Sequence, residues 1–302
     1  MKALVIGSEG NIGIPLVQYL KKKHYEVLTA DIVPGWKSKY LVADINHPID
    51  LLPAFDWKPD VVFILSAMVS RVTCEQASGL AIATNLSGIN NVLQLCKRVN
   101  AMTIFFSTSE IYGPECTLMD ETISNPKPNN RYGLSKLLGE SLVEYEVREY
   151  GLRAVTLRPF MVYDENESLG DHRSAMIRFA YNLSRKLPIE VHKGCSRGWL
   201  HISDAIRAIE AAVHLKKYFA INIGHPDIRT IEELAEKIRL NLNAPKELVH
   251  LIDIPSRMTS VKKPVLERQK NILGIEPKVS FDDGIDLVCN KIKQRIITSE
   301  KI

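Results

Sequence analysis

The stretch Ala3-Leu4-Val5-Ile6-Gly7-Ser8-Glu9-Gly10-Asn11-Ile12-Gly13 decides how the rest of the chain is read. Four apolar residues without polar alternation predict a strand buried on both faces, the signature of a parallel sheet covered by helices. The glycines follow at once in a GxxGxxG spacing. Glycine is needed where a turn takes unusual dihedrals and where backbone must approach a pyrophosphate closely. Ile12, Leu16, Val17 and Leu20 then recur at helical spacing, so Ile12–Lys23 is expected to be a helix. Its N-terminus would offer free N–H groups and a partial positive charge to a phosphate. Gly7, Gly10, Asn11, Ile12 and Gly13 are therefore expected to cradle a dinucleotide. Asp31 ends a second strand, Glu26–Asp31, where a carboxylate accepts both ribose hydroxyls and repels a 2′-phosphate. The first basic residue after it is Lys37, which favours NAD over NADP. Asp44 and Ile45, after a short third strand Lys39–Val42, are placed to reach the adenine.

The same texture continues outward. Asp60–Leu65, Met102–Ser107 and Arg153–Leu157 read as further strands, with helices at Leu80–Val99 and Tyr132–Tyr150. Alternating strand and helix implies right-handed crossovers and a doubly wound parallel α/β sheet. After Pro159 the texture changes. Tyr163–Arg173 reads as a polar loop, Ala175–Leu187 as a helix and Trp199–His214 as a strand-to-helix return. Phe219–Ile223 reads as a late strand, Thr230–Asn241 as a helix, Ser256–Lys263 as a basic loop and Asp282–Ile296 as a terminal helix. The expected organisation is a nucleotide-binding domain over 1–163, with 199–223 returning to it, and a smaller α/β lobe over 164–198 and 224–302.

Composition narrows the class. The chain has 302 residues, 45% hydrophobic and 25% charged, which excludes a disordered protein. A net charge of +4 is too small for a general nucleic-acid binder, so no nucleic-acid partner is expected. The longest apolar runs, such as Val61 to Leu65, fall far short of the roughly 20 residues that span a bilayer, so neither membrane span nor membrane partner is expected. Met1 leads straight into the first strand, and no secretory segment is expected. The five cysteines are dispersed, without a CxxC pair, so neither disulfides nor a metal site is expected and a reducing cytoplasm fits.

Tyr132-Gly133-Leu134-Ser135-Lys136 opens a helix and puts a phenol and an ammonium one turn apart on one face. A phenol titrates near 10, and lowering it by about three units takes ~4 kcal/mol of differential stabilisation. A nearby ammonium and a cationic nicotinamide would supply it, making Tyr132 a general base and leaving Lys136 to hold the ribose. Tyr19 and Lys23 have the same spacing but read as the solvated face of the first helix. Context separates the two. Ser107-Thr108-Ser109-Glu110 follows the fifth strand, at the carboxyl end where open α/β sheets bind ligands. A hydroxyl there can bond the oxygen that Tyr132 deprotonates.

Together these residues resemble the extended branch of the short-chain dehydrogenase/reductase superfamily, and more narrowly its NAD-dependent nucleotide-sugar epimerases, dehydratases and decarboxylases. The resemblance spans nearly the whole chain: the glycine turn, Asp31, Thr108 to Gly113, Tyr132 and Lys136, Arg158-Pro159-Phe160, and Arg197 through Asp204. It implies a Rossmann sheet, NAD as cofactor and a nucleotide-diphosphate sugar as substrate. It makes Tyr132 the base, Lys136 its partner and Thr108 the hydroxyl residue on the substrate. Ser66, Ala67 and Ser107 would meet the cofactor, and Pro159 and Phe160 would line its nicotinamide. Arg197 would grip the diphosphate, a geometry that suits a planar guanidinium. Thr108-Ser109-Glu110 matches the GDP-mannose-type dehydratases and UDP-glucuronate decarboxylases. A 4-keto intermediate would then lose water or carbon dioxide with Ser109 and Glu110 assisting.

The chain also departs from that family. Ile6 replaces a Thr, Glu9 stands inside the glycine turn, and Leu65-Ser66-Ala67-Met68 replaces His-Ala-Ala. Met161 stands for a substrate-contacting Asn, Asp164-Glu165 replaces Gly-Pro, and Arg257 or Lys263 is left as the second late cation. The cofactor site thus reads as intact and the substrate pocket as altered. The alternatives are a plain 4-epimerase or 4-dehydrogenase, a threonine-dehydrogenase-like oxidoreductase, and a non-catalytic NAD(H) sensor. The family's pairing through two helices per subunit makes Leu80–Val99 and Tyr132–Tyr150 the candidate faces of a homodimer.

Overall fold

The computed structural model describes residues 1–35, 38–123, 125–169, 174–255 and 258–299. Six strands follow in chain order: β1 (Lys2–Ile6), β2 (Glu26–Asp31), β3 (Tyr40–Val42), β4 (Val61–Ile64), β5 (Met102–Phe106) and β6 (Ala154–Pro159). With Ala220–Ile223 they form a seven-stranded sheet ordered Ala220–Ile223, β6, β5, β4, β1, β2, β3. Every neighbouring pair in it is parallel. The strands lack polar alternation because each face of the sheet has its own core. Ala3 and Val5 point into one cluster with Leu16 and Leu20 of helix Gly13–Lys22 and Ile206 and Ile209 of helix Ile202–Ala212. Leu4 and Ile6 point into the other, with Leu51 and Phe55 of helix Pro48–Asp56 and Val92 and Leu93 of helix Ile89–Val99. Each such buried side chain contributes about 1.5–3 kcal/mol over exposure. Strand order reverses at β1, between β4 and β2, and the ligand crevice of such sheets opens above that point.

Several expectations need correction. The Leu80–Val99 helix starts at Ser78 and contains a π-helical turn, Ala83–Gly88, before Ile89–Val99. The strand before helix Ile202–Ala212 does not return to the main sheet. Leu200–His201 pairs instead with Val162–Tyr163 in a separate two-stranded sheet. The basic loop is partly a strand: Val261–Lys262 lies beside Ser196–Gly198, which also pairs with Ile228–Thr230. Ser256 and Arg257 of that loop lie outside the described residues. A third apolar cluster is built by helices Ala175–Ser184, Ile231–Asn241 and Phe281–Ser299 with Trp199 and strand Ile189–His192. Among the described residues, no helix is long and apolar enough to cross a membrane.

Candidate active site

A cleft of about 840 Å³ opens over the carboxyl ends of β1, β2, β4 and β5. Its floor is the turn Gly7–Gly13, and its far wall is the start of the helix Arg131–Tyr150. The glycines of the turn serve different ends. Gly7 has φ +89°, and a Cβ there would lie 2.6 Å from the Ser66 nitrogen. A Cβ on Gly13 would lie 2.3 Å from the Gly7 carbonyl oxygen. Both are required by the protein's own packing. Gly10 is different: its Cβ would touch only the Gly7 oxygen, at 3.4 Å, so the chain itself does not demand glycine there. A ligand lying on the turn would.

Other features of the cleft fit a dinucleotide. The Asp31 carboxylate is fixed by N–H donors of Glu9 at 2.8 Å and Val33 at 3.2 Å, one on each oxygen. Each oxygen keeps capacity for a further donor, as two ribose hydroxyls would supply. The buried hydroxyls of Ser66 and Ser107, at the ends of β4 and β5, have no hydrogen-bond partner among the described residues. Asp44 and Ile45, Ala67 and Pro159 also line the cleft, as expected. Phe160 does not. It is 1% exposed and packs against Tyr112, Ile111 and Met119 in a separate apolar cluster, because the residue after Pro159 points to the opposite face.

Tyr132 and Lys136 both line the cleft. Burial pushes the Tyr132 phenol above its ordinary value, against a hydrogen bond with Thr108 that favours the phenolate. Burial pushes Lys136 down to about 8, partly opposed by Glu140 one turn further on. Its ammonium lies 4.9 Å from the centre of the Phe105 ring. The chain alone therefore leaves the phenol protonated at neutral pH, and additional positive charge must enter the cleft to make it a base. Asn85, in the π-helical turn, was not anticipated. It clamps Met68 through both backbone groups, at 2.8 and 3.0 Å, and donates to Ser135 at 2.9 Å. It thus ties the wall after β4 to the helix that carries Tyr132 and Lys136.

Thr108 caps the short 3₁₀ helix Ser109–Tyr112 that follows β5, accepting the Glu110 N–H at 3.2 Å. The helix Arg131–Tyr150, which carries Tyr132 and Lys136, starts against it. A Cβ on Gly133 would lie 2.6 Å from the Glu110 carbonyl oxygen, so only glycine allows this approach. Asn130, which caps that helix, donates to the Glu110 carboxylate at 2.9 Å. The other Glu110 oxygen takes the Lys262 ammonium, which also lies 3.3 Å from the Ser109 hydroxyl. Arg71 lies 3.9 Å away. Burial would raise the Glu110 carboxyl, but Lys262 and Arg71 outweigh it and hold it down to about 2.

Lys262 is therefore the late cation of the site, and Lys263 is not. Lys263 is exposed, and its carbonyl is bound by the Met119 N–H at 2.9 Å. Neighbouring residues on a strand face opposite ways. Lys262 is in register with Arg197, and both are 5% exposed. The Arg197 guanidinium donates to the carbonyls of Ser196, Thr259 and Ser260, and burial lowers it from its ordinary value. Met161 holds φ +39°, a left-handed conformation a long side chain adopts at a cost of order 1–3 kcal/mol, and packs on the third apolar cluster. It offers no polar contact where an Asn would. No group of His, Cys, Asp and Glu among the described residues could hold a metal ion.

The Glu110 pairing has a pH consequence. Its folded value of about 2 lies below the ordinary 4.5, so it contributes stability that is fully present above pH 4.5 and lost as pH falls towards 2. The span corresponds to ~3 kcal/mol. Glu110→Gln is expected to be less stable than the parent at pH 7 and nearly equal to it at pH 2. Denaturant midpoints measured at the two pH values check this. A constant gap at both would contradict the pairing.

Residues 3–224 match the model of the NAD dependent epimerase/dehydratase family. The chain belongs to this family. Its cofactor is NAD, and the cleft fits it. Among curated relatives, UDP-glucuronic acid decarboxylase 6 of Arabidopsis thaliana is 26% identical, covering all of this chain and 91% of that protein. UDP-N-acetyl-alpha-D-glucosaminuronate decarboxylase of Bacillus cytotoxicus is 28% identical over 94% of this chain and 95% of its own. Among solved structures, UDP-glucose 4-epimerase of Thermotoga maritima with UDP-glucose superposes with a TM-score of 0.91 at 24% identity, covering 98% and 100% of the two chains. UDP-glucose 4-epimerase of Thermus thermophilus in complex with NAD gives 0.85 at 25% identity, covering 97% and 99%.

Proposed function

We propose that this enzyme is an NAD-dependent decarboxylase of a nucleotide-linked uronic acid. The observation that carries the reading is the buried Lys262 ammonium on Ser109 and Glu110. Lys262, Arg71 and Arg197 bring three cations to a region where, among the described residues, Glu110 is the one carboxylate tied to them by ion pairs. Lys262 and Arg197 are buried and Arg71 is partly exposed beside them, and buried like charges are costly unless an anion joins them. A sugar carboxylate and a diphosphate are such anions, and Arg197 keeps donors for the diphosphate.

Gly7, Gly10, Gly13 and Asp31 would hold NAD, which would supply a hydride acceptor for sugar C4 and a positive ring charge that favours a phenolate at Tyr132. Tyr132 takes the C4 hydroxyl proton while Thr108 bonds the same oxygen. Lys136 orients the ribose. With C4 a ketone, the C5–C6 bond breaks, its electron pair passes into the ketone, carbon dioxide leaves, a proton from water adds at C5, and the hydride and the proton held by Tyr132 are returned to C4. Glu110 and the substrate carboxylate compete for Lys262, and loss of carbon dioxide relieves that competition. Dehydration would instead require Glu110 to take the C5 proton, and a carboxyl ionised down to about pH 2 is a weak base.

The test is a binding comparison. Parent enzyme is expected to bind UDP-glucuronic acid at least tenfold more tightly than UDP-glucose, and Lys262→Met to abolish that preference while NAD binding persists. A preference that survives the substitution would overturn the reading. A homodimer is part of the same proposal. Ile82 at the end of helix Ser78–Ile82 and Leu134 and Leu138, one turn apart on helix Arg131–Tyr150, are 37%, 43% and 39% exposed, apolar surface available to a second copy. The five cysteines are free, which agrees with the cytoplasm as its compartment.

A further inference from the structure

Residues 163–169 run as a strap along the rim of the NAD cleft. Tyr163, Asp164, Glu167 and Ser168 face it, whereas Leu169 faces a second cavity of about 660 Å³ in the smaller lobe. The strap is tied at several points. Tyr163 lies so close to the terminal helix that a Cβ on Gly284 would fall 1.8 Å from its hydroxyl oxygen. Glu165 accepts from the His201 ring at 2.8 Å. The Glu167 carbonyl takes Arg295 of the terminal helix at 2.7 Å. The Glu167 carboxylate, 8% exposed, takes the Ser174 hydroxyl at 3.2 Å and the Asn11 amide at 2.8 Å.

That last contact spans 156 residues and joins the strap to the glycine turn. Asn11 stands between Gly10 and Gly13, on the floor of the cleft. A carboxylate beside a phosphate-binding turn repels the ligand unless donors hold it, and here the donor comes from the turn itself. A dinucleotide on the floor has the strap along its rim, and the strap is anchored to the terminal helix. Opening that rim requires the Asn11–Glu167 bond to break.

We propose that Asn11 and Glu167 form a latch that keeps NAD bound from one turnover to the next. It deepens the decarboxylation reading, because a hydride returned internally needs a cofactor that does not exchange. The latch is tested without any sugar. Protein loaded with NADH is diluted into excess NAD and the loss of NADH fluorescence is followed, with thermal melting to verify that each variant is folded. Asn11→Ala and Glu167→Ala are each expected to speed release roughly ten- to a hundredfold, the range of a hydrogen bond to a charged group. The double variant should release no faster than the faster single one. Glu167→Gln, which keeps an acceptor, should stay near the parent, and Asn11→Asp, which sets two carboxylates together, should release quickly without loss of volume. Parental rates in Glu167→Ala, or effects that multiply in the double variant, would overturn the latch. Neither result bears on whether carbon dioxide is released, so failure of the latch and failure of the proposed reaction are told apart.

Discussion

Tyr132→Phe is expected to retain NAD and to lose turnover by at least a hundredfold. Of the helix Arg131–Tyr150, Tyr132 and Lys136 line the cleft, and the Lys136 ammonium already carries its proton, so no neighbour on that helix takes the C4 hydroxyl proton in place of the phenol. General acid–base catalysis by one positioned group is worth roughly 10²–10⁴ in rate. The ring itself remains, so the walls of the cleft keep their shape. Cofactor binding measured by titration and turnover measured on the same preparation check the two halves of the expectation. Undiminished turnover would remove Tyr132 from the chemistry.

Lys136→Met is expected to abolish turnover and to stabilise the fold. Lys136 is 2% exposed, and among the described residues no carboxylate lies within ion-pair distance of it. Its shift from 10.5 to about 8 means that burial penalises the ammonium, by ~3 kcal/mol at neutral pH. The sign follows directly. A base lowered on folding costs stability below its folded value, and the cost fades as pH rises from about 8 towards 10.5. Methionine removes the charge and leaves a thioether to pack on the Phe105 ring. The variant should therefore unfold at a higher temperature at pH 7, and its advantage should shrink by pH 10. A melting point below that of the parent at pH 7 would show that the ammonium is well solvated or paired. Such an outcome is what a charge kept for function at the expense of the fold would give, a pattern common in active sites.

The central sheet was legible because its physical signal is strong. Strands such as β1 and β4 are apolar at every position that meets a helix layer, on both faces, so no other reading accommodates them. The glycine turn and Asp31 were legible for a similar reason: dihedral and charge requirements restrict those positions to a few residue types. The region after β6 was not. Its strands Ser196–Gly198, Ile228–Thr230 and Val261–Lys262 have two or three residues each, too few to display a period. Choosing between Lys262 and Lys263 required knowing which way the strand faces, and a shift of one residue reverses that. The apolar Val261 beside them points the wrong way, because it is exposed on the same face as Lys263 while Lys262 is buried. Phe160 was misplaced by the same one-residue uncertainty. Asn85 and the Asn11–Glu167 contact depend on partners 17 to 156 residues away, and a single sequence carries no trace of such pairings.

The measurement that bears most directly on the account uses UDP-glucuronic acid labelled with ¹³C at C6 and the NAD-loaded enzyme. The account predicts that the label leaves as carbon dioxide, that the nucleotide sugar is one carbon shorter, and that no net NADH accumulates. Retention of the label in a nucleotide sugar of unchanged carbon count, whether epimerised or dehydrated, would contradict it.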